Sequence, residues 1–359
     1  VVAAPPLSLK PDLDAAAQRW GAYLAGDLID RPLVCVTAPV AGRPRIPGSS
    51  YAERATADFD TLIDQALINA RATWFGGESI PSFGVSFGCD EPAVFCGAGL
   101  RYAEDSGDTC WSVPWVDDWE QALPLQFNDA HPLWQRMLAL YRRAAERLAG
   151  VMAMSSFDTH TNMDLLAAVR GPERLCLDLA ERPEVIDRAM TEARAVFPHM
   201  WRAVVDAGRM RQTGFNNGIY APDGAAILQC DFSCMVSPAM FRRWVLPALE
   251  EEAAVAGQVF YHWDGPGALK HMDDLLATPA IHTLGYVPTS TWGGGGGHFA
   301  CLDLLRHCQD HGKAVQAGGT PDQIKAMHAV LDPSRVMYCT GTATPEEGEA
   351  LLDWLVEHT

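Results

Sequence analysis

The chain has 359 residues, of which 48% are hydrophobic and 20% charged, enough apolar material for a large core. Acidic residues number 45 against 27 basic ones, and the net charge of −18 excludes bulk attraction to nucleic acid or anionic membrane surfaces. No apolar run approaches the ~20 residues that span a bilayer, and residues 1–6 lack the charged-then-apolar order of a signal peptide.

In chain order, residues 12–28 carry helical periodicity that ends near Gly26, and 32–37 read as a buried strand closed by Ala38-Pro39. A second helix pattern fills 51–74. From 76 to 119 Gly, Pro, Cys and aromatic residues dominate, and the alternation over 98–115 predicts a small antiparallel excursion, an elaboration of the N-terminal part. After Leu133 the pattern turns regular. Helix 133–148 leads to strand 151–157, and helix 183–207 to 218–220, then 225–229. Helix 239–256 leads to 259–261, and 268–277 to 281–287. Helix 301–311 leads to 314–317, 322–331 leads to 336–338, and helix 345–357 closes the chain.

Strands alternating with helices at this spacing predict an α/β protein with a parallel sheet. With roughly eight such strands and the last helix near the first, the expectation is one (β/α)8 TIM-barrel domain over 1–359 with an N-terminal elaboration. The segment 288–298 holds Trp292 and five glycines at 293–297. It reads either as a surface linker or as a mobile lid over the barrel mouth. Ten cysteines without an export signal read as reduced thiols of a cytoplasmic protein, most of them small core residues.

The chemistry gathers where strands end. Tyr261-His262-Trp263-Asp264-Gly265-Pro266 and the distant Cys339 each close a short apolar run, and carboxyl ends of parallel strands meet at one place. A His, a carboxylate and a thiol there suit a soft divalent metal such as zinc. His262 and Asp264, two apart on a strand, share a face. They serve equally well as a metal-free acid/base pair or as a structural pair.

Asp231 lies between Cys230 and Cys234 in an irregular segment. Asp231 reads either as a helix cap or, since Ser237-Pro238 already supplies a good N-cap and N1, as a residue of the pocket. Asp158 and His160 repeat the same-face spacing and either bind substrate polar groups or hold loop amides. Asn217 is a donor to a substrate carbonyl or a turn residue. Trp263 offers aromatic surface to a flat or cationic ligand, or core packing. His307 and His311 read as a solvated helix face, and no phosphate-binding or dinucleotide motif occurs.

With these residues in view, the chain resembles the uroporphyrinogen decarboxylase superfamily, in particular its branch of cobalamin-related methyltransferases. The resemblance rests on Ser237-Pro238-Ala239-Met240-Phe241 with Pro247, on Tyr261-His262-Trp263-Asp264-Gly265, and on Gly312-Lys313. It continues in Asp332-Pro333, Gly341-Thr342 and Pro345-Glu346-Glu347, and covers about residue 154 to the C-terminus. The decarboxylase pattern itself is broken. Pro39-Val40-Ala41-Gly42-Arg43-Pro44-Arg45 keeps Ala-Gly-Arg but has Pro39 where the leading Arg would stand. Ile80-Pro81-Ser82-Phe83-Gly84 lacks the expected Asp, and Tyr338-Cys339-Thr340 lacks the late His.

The methyltransferase branch resembles a His-x-Cys plus a later Cys binding zinc, which activates a thiol acceptor. Carried over, His262 and Cys339 match two ligands and Asp264 replaces the third. The replacement leaves a harder zinc site, another metal or none, and Cys234 or Asp231 is a candidate fourth ligand. The resemblance implies a methyltransferase acting between a small methylated compound or corrinoid and a thiol-type acceptor. His262, Asp264 and Asp231 would be catalytic, and Asp158, His160, Asn217, Arg43 and Trp263 would bind substrate. It further implies a corrinoid protein as partner and leaves room for a homodimer. Two other readings stay open: a cofactor-free decarboxylase or lyase on a small carboxylate, with Arg43 or Arg45 as its anion site, and a corrinoid- or tetrapyrrole-binding protein.

Overall fold

The computed structural model describes residues 6–103, 109–288 and 297–359. The predicted linker or lid over 288–298 falls, for residues 289–296, outside the described residues. The strands are β1 (Leu33–Pro39), β2 (Thr73–Gly77), β3 (Ser82–Phe83), β4 (Gly99–Ala103), β5 (Thr109–Val113), β6 (Ala153–Met154) and β7 (Phe215–Asn217). They continue with β8 (Ile219–Ala221), β9 (Ala225–Gln229), β10 (Gln258–Asp264), β11 (Thr283–Val287), β12 (Ala314–Gly318) and β13 (Val336–Gly341). Helices fill the connections, as the alternation of patterns requires.

The central sheet runs β2-β1-β13-β12-β11-β10-β9, parallel from β1 to β9 with β2 antiparallel at the edge. A second sheet has the order β3-β6-β7-β8, and β4-β5 form an antiparallel pair. The fold is therefore mixed α/β with a parallel central sheet. The expected closure into a continuous barrel is not made, and both interruptions have a visible cause.

At one end, the ladder position beside β1 is taken by antiparallel β2, with Cys35 opposite Gly77. The chain then turns at Gly77 (φ +55°), where a Cβ would stand 2.3 Å from the Val34 carbonyl; a side chain there is excluded. The next residue, Glu78, bonds Val34 through both backbone and side chain.

At the other end, the free edge of β9 bonds to side chains instead of to a strand. The carbonyls of Ala225, Ile227 and Gln229 point the same way because they are two residues apart. They accept from Asn217 Nδ2 (2.7 Å), Thr159 Oγ1 (3.3 Å) and Asn162 Nδ2 (3.0 Å), respectively. Asn162 holds a left-handed backbone (φ 50°), which Asn tolerates better than most side chains. The buried edge is thus satisfied without a ladder.

Along β10 the pattern alternates. Tyr261 and Trp263 are buried in the core against the helices, and His262 and Asp264 take the opposite face. Long amphipathic helices such as Pro132–Arg147 and Pro183–Ala207 bury their apolar faces against this scaffold. No described helix is long and apolar enough to cross a membrane.

Candidate functional site

The strand ends after β6, β7, β9 and within β10 open onto one cavity of about 500 Å³. Its walls include Asp158, Thr159 and His160 after β6, Asn217 from β7, Gln229 and Asp231 at the end of β9, His262 from β10, and Cys89 from the loop before the β4–β5 pair. Lys and Arg are absent from that lining.

His160 occupies the centre of the charge pattern. Its Nδ1 stands 3.4 Å from Asp90 Oδ1, and its Nε2 stands 3.5 Å from Asp158 Oδ2 and 3.9 Å from Asp231 Oδ2. Burial works against the charged ring. Asp90, Asp158, Asp164 and Asp231 together outweigh it and push the imidazole up to about 10. His160 is therefore an imidazolium at neutral pH. Burial likewise opposes the Asp90 charge, yet His160 and the Ser112 N–H hold that carboxyl below its usual range.

Asp231 behaves in the opposite sense. Burial raises its carboxyl above the ordinary value, with His160 and His262 opposing and Asp264 and Asp158 reinforcing. Its Oδ1 is buried and has no hydrogen-bond partner. Its backbone is held from behind by Asp164, whose Oδ2 accepts from Asp231 N (3.0 Å) and Oδ1 from Phe232 N (2.8 Å). Asp164 is buried, and burial pushes it up to about 6 despite the opposing pull of His160. Asp158 is oriented by Gln229 Nε2 at 2.6 Å.

Of the residues expected from sequence, Asp158, His160, Asn217, Asp231 and His262 meet in this cavity. Asn217 is spent on structure: its Oδ1 accepts from Ser155 Oγ at 2.8 Å and from Ser156 N, and its Nδ2 bonds the β9 edge. Arg43 is exposed, donates to the Arg71 carbonyl at 3.2 Å, and is not part of the lining. Trp263 is buried; its indole donates to the Ala268 carbonyl (3.0 Å) and its ring packs edge-on against Tyr286, so it presents no surface to a ligand.

The four expected metal ligands are not gathered. His262 lines the cavity and Asp264 is exposed at the end of its strand. Cys234 is exposed. Cys339 sits opposite Cys35 in the β1–β13 pairing and accepts a hydrogen bond from Gln316 Nε2 at 3.4 Å. Among the described residues no three His, Cys, Asp or Glu side chains are placed to share an ion.

Sequence reasoning missed Asp90, Asp164 and Gln229. Asp164 was the most accessible of them: an acid in the first turn of helix Asn162–Arg170. The 3-10 helix Asp231–Met235, whose N–H groups it receives, carries no local cap signal of its own.

No family model matches the chain, and no curated protein matches it. Among solved structures, a methyltransferase from Methanosarcina mazei is similar with a TM-score of 0.61 and 12% sequence identity. The alignment covers 96% of this chain and 98% of the other. The likeness is one of fold, and it spans nearly the whole of both chains.

Proposed function

We propose that this chain is a methyltransferase that moves a methyl group between a small methylated compound or a corrinoid and a thiol-type acceptor. The observation that carries the reading is the raised carboxyl of Asp231, its Oδ2 3.9 Å from the His160 imidazolium, in an acid-rich cavity. The end-to-end fold likeness to a methyltransferase and the sequence resemblance to the cobalamin-related branch support it. In the same reading the two sheets correspond to a TIM barrel whose ladder is interrupted at β2 and β9.

Transfer of a methyl group to a thiol forms a C–S bond and releases the S–H proton. Asp231 takes that proton on its accessible oxygen, Oδ2, as the methyl leaves its carrier, and returns it in the reverse direction; a carboxyl raised by burial is suited to both tasks. His160 keeps its own proton and stabilises the Asp231 carboxylate when it forms. Asp90 and Asp158 hold the ring in place from its two nitrogens.

Zinc activation of the thiol is the sequence expectation, but the donors stand apart, and no step here passes through a metal. Metal content of the wild type beside His262→Ala and Cys339→Ser decides that point, since a stoichiometric metal lost in both variants would restore the zinc route. A corrinoid protein as partner and a cytoplasmic location belong to the same proposal. The decarboxylase reading requires a positive pocket for carbanion-like charge, and a lining with carboxylates and without Lys or Arg opposes it.

The test is demethylation of methylcobalamin by a panel of small thiols, followed by absorbance. Thiol-dependent turnover that falls in Asp231→Asn supports the proposal. Tight corrinoid binding without turnover would favour a carrier, and neither binding nor turnover would remove the methyl-transfer reading.

A further inference from the structure

Two thiols meet at the wall of the cavity. Cys89 lines it, and Cys110 lies buried on β5 with its sulfur 3.9 Å from that of Cys89. The contact is built into the backbone. Cys89 N donates to Cys110 Sγ at 3.3 Å, and a Cβ on Gly88 would stand 2.6 Å from the same sulfur. A larger residue at 88 would press on the Cys110 thiol where it now stands. Neither cysteine is used by the proton transfer proposed above.

The geometry points to a reversible Cys89–Cys110 disulfide, a redox modification site in the cavity wall, with small cellular disulfides as the oxidant. Cys89 is half-buried and lines the cavity whereas Cys110 is buried, so an external disulfide meets Cys89 first. The Cys89 sulfur displaces one external thiol and forms a mixed disulfide. Cys110 then attacks Cys89 Sγ and displaces the second external thiol. Two protein thiols lose two protons and two electrons, and one external disulfide becomes two thiols. Closure brings the sulfurs from 3.9 Å to about 2.05 Å. The contact between them holds the Cys110 thiol below its usual range and pushes that of Cys89 up, so Cys89 is the reachable sulfur and Cys110 the readier thiolate for the resolving step.

The pair is placed to act on the site. Asp90 follows Cys89 directly, ion-pairs with His160 and accepts from Ser112 N on the Cys110 strand. Drawing Cys89 toward β5 moves the carboxylate that holds the imidazolium.

The full-length protein is equilibrated with graded mixtures of oxidised and reduced glutathione, acid-quenched, alkylated and digested with trypsin. Arg101 separates the two cysteines, so the bond appears as a cross-link between two peptides. The expected result is a Cys89–Cys110 cross-link that reductant reverses. Cys110→Ser should accumulate glutathione on Cys89, and Cys89→Ser should leave Cys110 reduced. Wild type that carries glutathione on Cys89 without the cross-link, or in which both thiols stay free at the most oxidising ratio, would overturn the inference.

Discussion

The His160 ring follows β6 and Asp90 precedes the β4–β5 pair, yet the two meet at 3.4 Å. Neither is near the other in sequence. Together with Asp158 and Asp231 they make a buried cation ringed by carboxylates. Such a centre loses its meaning if the ring is neutral, so its protonation is the first property to establish.

The His160 ring should stay protonated through neutral pH. Its folded-state pKa, about 10, lies above the ordinary 6.5. A raised imidazole stabilises the fold fully below about 6.5, and that contribution fades as pH rises toward 10. NMR titration of the ring should show no transition between pH 6 and 8. His160→Gln should remove the part of the stability loss above neutral pH that belongs to this group. A ring midpoint near 6.5 would contradict the electrostatic picture.

Asp231→Asn keeps the shape of the side chain and removes its proton chemistry. If the carboxyl carries the proton, turnover should fall by about 10²–10⁴-fold. The fold should be unharmed, because the charged form is already disfavoured by burial. The variant should therefore unfold in urea at or above the wild-type midpoint. An active Asp231→Asn, or one that loses activity only by unfolding, would remove Asp231 from its proposed role.

Much of this site was legible in the sequence. The period of two in Tyr261-His262-Trp263-Asp264 placed His262 on the inner face, and the Asp158–His160 spacing did the same after β6. What sequence could not supply was the meeting of elements far apart along the chain. Asp90 and Asp164 act through contacts to residues 160 and 231, which no local pattern announces. Trp263 and Arg43 fit their motifs yet found other partners, because a strand residue facing the helices or an exposed loop residue cannot reach the cavity. A closed ladder was not legible. Alternating strands and helices specify a parallel sheet, but closure depends on edges that here bond to Asn217, Thr159, Asn162 and β2.

Glu78 anchors the β1 edge and should dominate local stability. It is fully buried, pairs with Arg31 through two bonds of 2.7 and 2.8 Å, and accepts Val34 N at 2.9 Å. Glu78→Ala leaves a buried guanidinium without its partner, which costs about 3–5 kcal/mol. Replacing both Arg31 and Glu78 by apolar residues should recover part of that loss, since the uncompensated charge is gone. Urea unfolding of the single and double variants reads both effects, and a single variant within about 1 kcal/mol of wild type would count against the anchor.

Glu252 supplies a second, separable pH dependence. The side chain is buried beside Thr161 Oγ1 (2.6 Å), and burial pushes the carboxyl from 4.5 to about 8 against the Thr161 and Asn162 hydrogen bonds. Between those values the folded protein binds more protons than the unfolded one, so stability falls as pH rises. The decline begins near pH 4.5 and levels off above 8, whereas that of His160 begins near 6.5 and ends near 10. The two windows overlap between about 6.5 and 8, so Glu252→Gln should chiefly flatten the decline from pH 5 to 7, and His160→Gln chiefly that from 7 to 9. Unfolding free energies at pH 5, 7 and 9 distinguish them, and a wild-type stability that rises from pH 5 to 7 with an unchanged slope in Glu252→Gln would show that Glu252 is ionised in the fold.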